Sequence, residues 1–116
     1  MIRKLTKEDV KITVVAEEED TRVEGSFDSG DKTLDDELVY EIEQNIALGN
    51  VWAWCCVKVT VTWGEFSAFD CLGCCSYENE AEFKADGYYD DMVGVALDKL
   101  NENVQKTYDA ISSLIV

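Results

Sequence analysis

The chain contains no histidine and no proline, and its 10 Lys and Arg residues are few beside 25 Asp and Glu. The lack of histidine removes the most frequent general base, the usual partner of a nucleophilic cysteine and the commonest nitrogen ligand of metals. No apolar run reaches about 18 residues, the length of a membrane-spanning helix, and the N-terminal stretch lacks the apolar segment of a signal peptide. We therefore expect a cytoplasmic protein that is not an enzyme and has no membrane partner.

The scarcity of cations leaves a net charge of −15 over 116 residues. A charge excess of this size repels itself and works against compactness. Hydrophobic residues nevertheless make up 47% of the chain, which is too many for a disordered acidic tail. The length suits one domain. We expect a single acidic domain over residues 1–116, which nucleic acids and acidic membranes repel and basic protein surfaces attract.

The hydrophobic pattern predicts an α+β fold, in which an antiparallel sheet of three to four strands is packed by two main helices in the order (β)β-α-β-β-α. Period-two alternation predicts strands at 10–16, 51–63 and 65–72. Residues 22–27 are predicted to be either a returning strand or extended chain. Trp52 and Trp54 are expected in the core.

Three helices are predicted, mainly on one face of the sheet. The first begins with Thr33 as its N-cap and ends at Gly49, since glycine commonly follows the last turn of a helix. A short acidic helix is expected at 79–85, and a long amphipathic helix from about Tyr88. The apolar stripe of the first helix repeats every four residues and consists of Leu34, Leu38, Ile42 and Ile46.

The five cysteines form a poor disulfide framework, because their number is odd and two pairs are adjacent in sequence. Residues 71–75 contain a C-x-x-C pattern, and with Cys55 or Cys56 four thiolates would suit tetrahedral zinc. Adjacent residues of a strand point to opposite faces, however, so Cys55 and Cys56 cannot both face one metal. We favour reduced, buried structural thiols and expect no metal and no other cofactor; a zinc or redox module is the weaker alternative.

The acidic loop at residues 28–31, together with Asp35, Asp36 and Glu37, invites comparison with a calcium-binding loop. Its spacing differs from that of an EF-hand, because Gly30 occupies the third position and no acid falls at the twelfth. A solvated loop before an acidic helix start explains these residues, and a loose cation site is the alternative.

The acidic residues fall into three groups, at the end of the first strand, on the first helix and at residues 78–91. Acidic residues at positions i and i+4 of a helix have Cβ atoms about 5–6 Å apart, a spacing of the same order as that of neighbouring phosphates on a nucleic-acid strand. The first two groups supply the candidate partner-binding residues, which are Glu17, Glu18, Glu19, Asp20, Asp31, Asp35, Asp36, Glu37, Glu41 and Glu43.

Several short stretches resemble a small acidic protein family met in phages and mobile elements. They are Val51-Trp52-Ala53-Trp54 with the alternating strand after it, Leu72-Gly73-Cys74-Cys75-Ser76-Tyr77, Phe83 and Tyr88-Tyr89-Asp90-Asp91-Met92. This resemblance covers residues 8–104 and brings no catalytic motif with it. In size, acidity and lack of catalytic residues the chain also resembles the anti-CRISPR and DNA-mimic inhibitors of phages, a likeness of character rather than of shared motif.

Two hypotheses of different class follow, against a background in which acidic residues also serve solubility alone. The leading one is a phage-encoded, anti-CRISPR-type inhibitor in the host cytoplasm. Its acidic surface would occupy the basic nucleic-acid-binding site of a host defence complex, such as a CRISPR effector, and block target DNA. The alternative is a structural or assembly protein that self-associates through its C-terminal helix. Monomer and homodimer both stay open. The apolar end of that helix comprises Ile111, Leu114, Ile115 and Val116.

Overall fold

The computed structural model describes residues 2–116, and its architecture confirms the predicted α+β class. Short 3-10 turns at Lys7–Asp9 and Val51–Ala53 precede the first and second strands. The strands are β1 (Lys11–Glu18), β2 (Cys55–Trp63) and β3 (Phe66–Cys75), and the helices are α1 (Lys32–Ala47), α2 (Glu80–Ala85) and α3 (Gly87–Ser112).

The three strands form one antiparallel sheet in the order β1-β2-β3. Val59 of the central strand pairs with Val14 on one side and with Asp70 on the other. The register between β2 and β3 shifts opposite Cys56, where β3 carries one extra residue, and Cys74 in this bulge has a left-handed φ of 55°. A bulge of this kind bends its strand and redirects the backbone near the end of the sheet.

The core lies on one face of the sheet, beneath α3. Phe83 of α2 is fully buried and closes this core near the start of α3. Burying a side chain of this size stabilises the fold by about 2–3 kcal/mol. The other buried residues of this core are Leu5, which precedes the sheet, Cys55, Val57, Val59 and Val61 of β2, Ala68 and Cys75 of β3, and Met92, Val93, Ala96 and Leu100 of α3.

The opposite face of the sheet is open to solvent. Val15 and Phe69 on this face are 45% and 49% exposed, and the Lys58 ammonium lies 4.3 Å from the centre of the Phe69 ring. A sheet covered on one side only requires polar residues on its other side, which explains the alternation of Lys58, Thr60 and Thr62 with buried valines in β2.

Helix α1 does not lie on the sheet as α3 does. It contacts the turn Val51–Ala53 before β2, and its Ile42 packs with Trp54 and Val23 in a separate small cluster. Only the middle of the predicted apolar stripe is covered as a result, since Leu34 and Ile46 are 45% and 42% exposed.

The molecule is elongated, with principal extents of 69 × 24 × 21 Å. The 26 residues of α3 span about 39 Å. Near its start this helix packs on Cys55 and Val57, and farther along its Leu100 packs on Val61. It then continues past the Val61 end of the sheet. Because α1 is attached at the Cys55 end, the two long helices extend the molecule at opposite ends.

Three local expectations were wrong. The N-cap of α1 is Asp31, not Thr33, because the Asp31 carboxylate accepts a hydrogen bond of 3.2 Å from the Leu34 amide. Residues 51–53 are not strand, because the Asn50 side chain caps a 3-10 turn there. Residues 22–27 form a turn that inserts Val23 into the small cluster.

The remaining elements lie close to their predicted positions. The α1 helix ends at Ala47, two residues before the expected Gly49, whose φ is 89°. Trp54 is buried, and its indole Nε1 donates a hydrogen bond of 2.7 Å to the Thr21 carbonyl. The short and long C-terminal helices follow the predicted pattern, and β3 runs to Cys75, three residues beyond the predicted end.

We expect Ile42→Ala to loosen α1 without opening the sheet. The substitution removes a buried side chain from a small cluster, at a cost of about 2–4 kcal/mol. Hydrogen exchange measured residue by residue should become faster throughout Lys32–Ala47, while the amides of β2 keep their protection. Val93→Ala, in the core between α3 and the sheet, is the control and should make hydrogen exchange in β2 faster as well. Equal acceleration of α1 and β2 in Ile42→Ala would contradict the separate attachment of α1.

Candidate partner-binding surface

The negative charge is concentrated in one part of the chain. Residues 17–43 contain twelve acidic and two basic residues, a net charge of −10 out of the −15 of the whole sequence. This segment runs from the end of β1 through the loop and most of α1. Its two cations are both engaged, since Arg22 pairs with Glu24 at 3.1 Å and Lys32 with Asp36 at 3.9 Å.

The outward face of α1 carries four of the predicted residues. The helix turns Val39 and Ile42 toward the rest of the protein, so the opposite side of the helix faces solvent. Glu37 and Glu41 are one turn apart, which places their Cβ atoms about 5–6 Å from each other. The exposed acids of this face are Asp36, Glu37, Glu41 and Glu43.

Asp31 and Asp35 hold the loop against the helix. Asp31 caps α1, and the Asp35 carboxylate accepts hydrogen bonds from the Ser29 amide at 3.1 Å and the Ser29 hydroxyl at 2.7 Å. Two of the acids that were compared with a calcium-binding loop therefore have local structural partners. Their charge still adds to the field of the surface, but their oxygens are already used in part.

At the end of β1, Glu19 differs from its neighbours. Glu17, Glu18 and Asp20 are exposed, and Glu17 lies beside Cys56 in the sheet register. Glu19 instead accepts hydrogen bonds from the Cys74 amide at 2.8 Å and the Thr21 amide at 3.1 Å. These amide hydrogen bonds, with that of Cys74 first, lower the pKa of the Glu19 carboxyl. Glu19 joins the end of β1 to the bulge of β3.

Two grooves flank α1, and both are lined by acids. A groove of about 630 Å³ lies between α1 and the preceding loop, and Phe27 and Tyr40 line it together with acidic residues. A second groove of about 560 Å³ lies on the other side, where Glu41 of α1 faces the segment around α2. The acids are Glu24, Asp28, Asp35, Asp36 and Glu43 in the first groove and Glu41, Glu78 and Glu82 in the second.

The fold thus brings part of the third acidic group beside the second. Glu78 and Glu82 are about forty residues from Glu41 in sequence. They line the same groove as Glu41 because α1 packs near Tyr77, which follows β3. We call residues 17–43 together with Glu78 and Glu82 the acidic pole. Sequence spacing predicted its helical part, whereas its second groove depends on the tertiary fold.

The cysteines divide into buried and exposed thiols. Cys55 and Cys75 are buried, which raises the pKa of Cys55 to about 12 and that of Cys75 to about 11. Partial burial also raises the pKa of Cys56. Cys71 and Cys74 are exposed. Within residues 2–116, no three His, Cys, Asp or Glu side chains are arranged to hold a metal ion.

Over the same described residues, no helix is long and apolar enough to cross a membrane. Even α3, the longest at 26 residues, carries charged side chains along its exposed side.

We expect Glu19→Gln to lower the free energy of unfolding at about pH 7 by about 1 kcal/mol, because a charge-assisted pair of hydrogen bonds becomes a neutral one. The folded pKa lies below the unfolded one, so this stabilisation is present above the unfolded pKa and disappears as the pH falls through the folded pKa. Urea unfolding at about pH 7 and about pH 3 tests this, with the difference between Glu19→Gln and wild type shrinking in acid. Glu18→Gln is the matched control; an equal effect of both substitutions would contradict the role of Glu19.

Thiol reactivity should follow burial, because the thiolate is the reactive form. At about pH 8 a disulfide reagent should label Cys71 and Cys74 first, and Cys55 and Cys75 only after unfolding in urea. Peptide mass mapping identifies the labelled positions. Labelling of Cys55 in the native protein as fast as Cys71 would contradict its place in the core.

Comparison with known proteins identifies no relative. No family model, curated protein or solved structure matches the chain. Its function is therefore inferred from the acidic pole and from the chemistry of its residues.

Proposed function

We propose that this protein is a non-enzymatic inhibitor whose acidic pole occupies a basic nucleic-acid-binding site of a host defence complex, such as a CRISPR effector, and excludes target DNA. The observation that carries the proposal is the net charge of −10 over residues 17–43, which include most of a helix that stands away from the sheet. A phage origin and action in the host cytoplasm are part of the same proposal.

The physical basis is competition between two polyanions for one set of cations. A basic nucleic-acid channel holds counterions or phosphates, and a rigid row of carboxylates releases those counterions as DNA does. Asp36, Glu37, Glu41 and Glu43 are fixed to one helix, so little conformational entropy is lost when they bind. Complementary charge also speeds association with the cationic site.

The grooves beside α1 suit arginine and lysine side chains. A cation entering the groove of Glu24, Asp28 and Glu43 meets acids on both walls. Tyr40, at 66% exposure, lies among these acids and offers an aromatic face for a guanidinium. Because both grooves beside α1 are acidic, a basic channel can contact the outward face of the helix and its two flanks.

We expect neutralisation of the α1 acids to weaken inhibition. The variant carries Asp36→Asn, Glu37→Gln, Glu41→Gln and Glu43→Gln. At about 0.5 kcal/mol for each exposed charge, affinity for the effector should fall about 30-fold. The measurement is target-DNA binding by a purified CRISPR effector in a mobility-shift assay, with the inhibitor titrated against it.

A matched control changes the same number of charges elsewhere. It carries Asp91→Asn, Asp98→Asn, Glu102→Gln and Asp109→Asn, all exposed acids on α3. Inhibition should survive in this control and should weaken steeply for wild type between about 50 mM and about 300 mM salt. Equal loss in the two variants, or affinity unchanged by salt, would rule out an α1-centred electrostatic mechanism.

A further inference from the structure

The end of the molecule opposite the acidic pole carries an apolar groove of about 460 Å³. Trp63 and Phe66 stack at its base with ring centres 6.1 Å apart, and Tyr108 and Ile111 of α3 rise beside them. Trp63, Tyr108 and Ile111 are 42%, 39% and 56% exposed. We call this groove the apolar pole; its apolar lining residues are Ile2, Leu5, Trp63, Phe66, Val104, Tyr108 and Ile111.

Among the described residues, no acid lines the apolar pole, although acids make up 25 of the 116 residues of the chain. The charged side chain in this described lining is that of Arg3, whose guanidinium donates two hydrogen bonds, of 2.7 and 2.9 Å, to the Asp9 carboxylate. These bonds hold the pKa of Asp9 well below its usual range. The neighbouring backbone is fixed as well, because Asn101 of α3 bonds to both the amide and the carbonyl of Leu5.

The N-terminal segment that contributes Ile2, Arg3 and Leu5 to the apolar pole is basic, unlike the protein as a whole. Residues 2–11 carry four cations and two acids, a net charge of +2. Two copies of a −15 chain repel each other over most of their surface, and this basic segment reduces the repulsion at the apolar pole. With a screening length of about 10 Å at 0.1 M salt, the acidic pole at the far end of a 69 Å molecule contributes little there.

The apolar pole can form a two-fold contact with a second copy of the chain. Ile111 projects from α3 beside the groove formed by Trp63, Phe66 and Val104, so a two-fold axis can place the Ile111 of each copy in the groove of the other. In that arrangement Asp109 and the negative carboxyl end of α3 in one copy approach the basic segment 2–11 of the other.

The exposed apolar area has the right size for such a contact. Together with Leu114 and Ile115, which are 77% and 76% exposed, the apolar pole leaves on the order of 600 Å² of apolar surface in water. A stable interface buries about 800 Å² per partner including its polar rim. The residual surface of one copy therefore approaches what one half of a dimer interface requires.

We propose that the apolar pole is the interface of a homodimer, in which α3 of each copy docks on the Trp63 and Phe66 groove of the other. The proposal goes beyond the inhibitory function and does not depend on it. It leaves both acidic poles free at the two far ends of the assembly, so one dimer presents two separate polyanionic surfaces.

Salt separates this proposal from the proposed function. Contact between two chains of equal negative charge should strengthen as salt screens their repulsion, whereas capture of a basic partner should weaken. Sedimentation velocity over a concentration series at about 50 mM and about 300 mM salt should show a species of twice 13.1 kDa whose fraction rises with both variables. A 13.1 kDa species at every concentration and salt overturns the dimer and leaves the inhibitor untouched.

Variants locate the interface. Ile111→Asp should give a monomer by placing a carboxylate in the partner's groove. Val95→Asp, at a 41% exposed site on the same helix outside the apolar pole, should stay dimeric. Circular dichroism and thermal unfolding establish that both variants are folded. A folded Ile111→Asp that still dimerises, or loss of the dimer in both variants alike, overturns the apolar pole as the interface.

Discussion

The one-sided burial of β2 beneath α3 is the constraint on which the rest of the structure depends. The valines at 57, 59 and 61 are fully buried, and one long helix with the short α2 provides their cover. Because this core is complete without α1, that helix is free to stand at the end of the sheet with its charged side in water. The same core lets α3 run past the last strand residues and form a second, apolar end.

This division resolves the conflict between a charge of −15 and a compact fold. Carboxylates crowded around one core would oppose folding through mutual repulsion. Here most of the excess lies on residues 17–43, and the described residues contain no buried charged side chain. Glu19, Asp31 and Asp35 show how the pole is also held together, since each of these carboxylates accepts backbone amide hydrogen bonds. Some of the carboxylates that carry the negative charge thus also stabilise the backbone of the acidic pole.

The sequence was sufficient for local features and insufficient for tertiary placement. Alternation in β2 and the four-residue spacing in α1 and α3 predicted the strands and helices, because burial of one face imposes those periods. The caps were harder, since Asp31 and Thr33 are both good N-caps and only the hydrogen bond to Leu34 decides between them. The stripe of α1 suggested a helix on the sheet, yet one well-packed residue, Ile42, anchors it elsewhere. The meeting of Glu41 with Glu78 across a groove depends on that anchoring, and spacing along the chain carries no signal for it.

The slender attachment of α1 has a consequence for how this protein can change over generations. Residues on its outward side touch neither Trp54 nor the valine core, so replacing them changes the free energy of unfolding very little. Substitutions can therefore accumulate one at a time on the outward surface of α1, while the sheet and α3 remain under a separate and much stricter requirement.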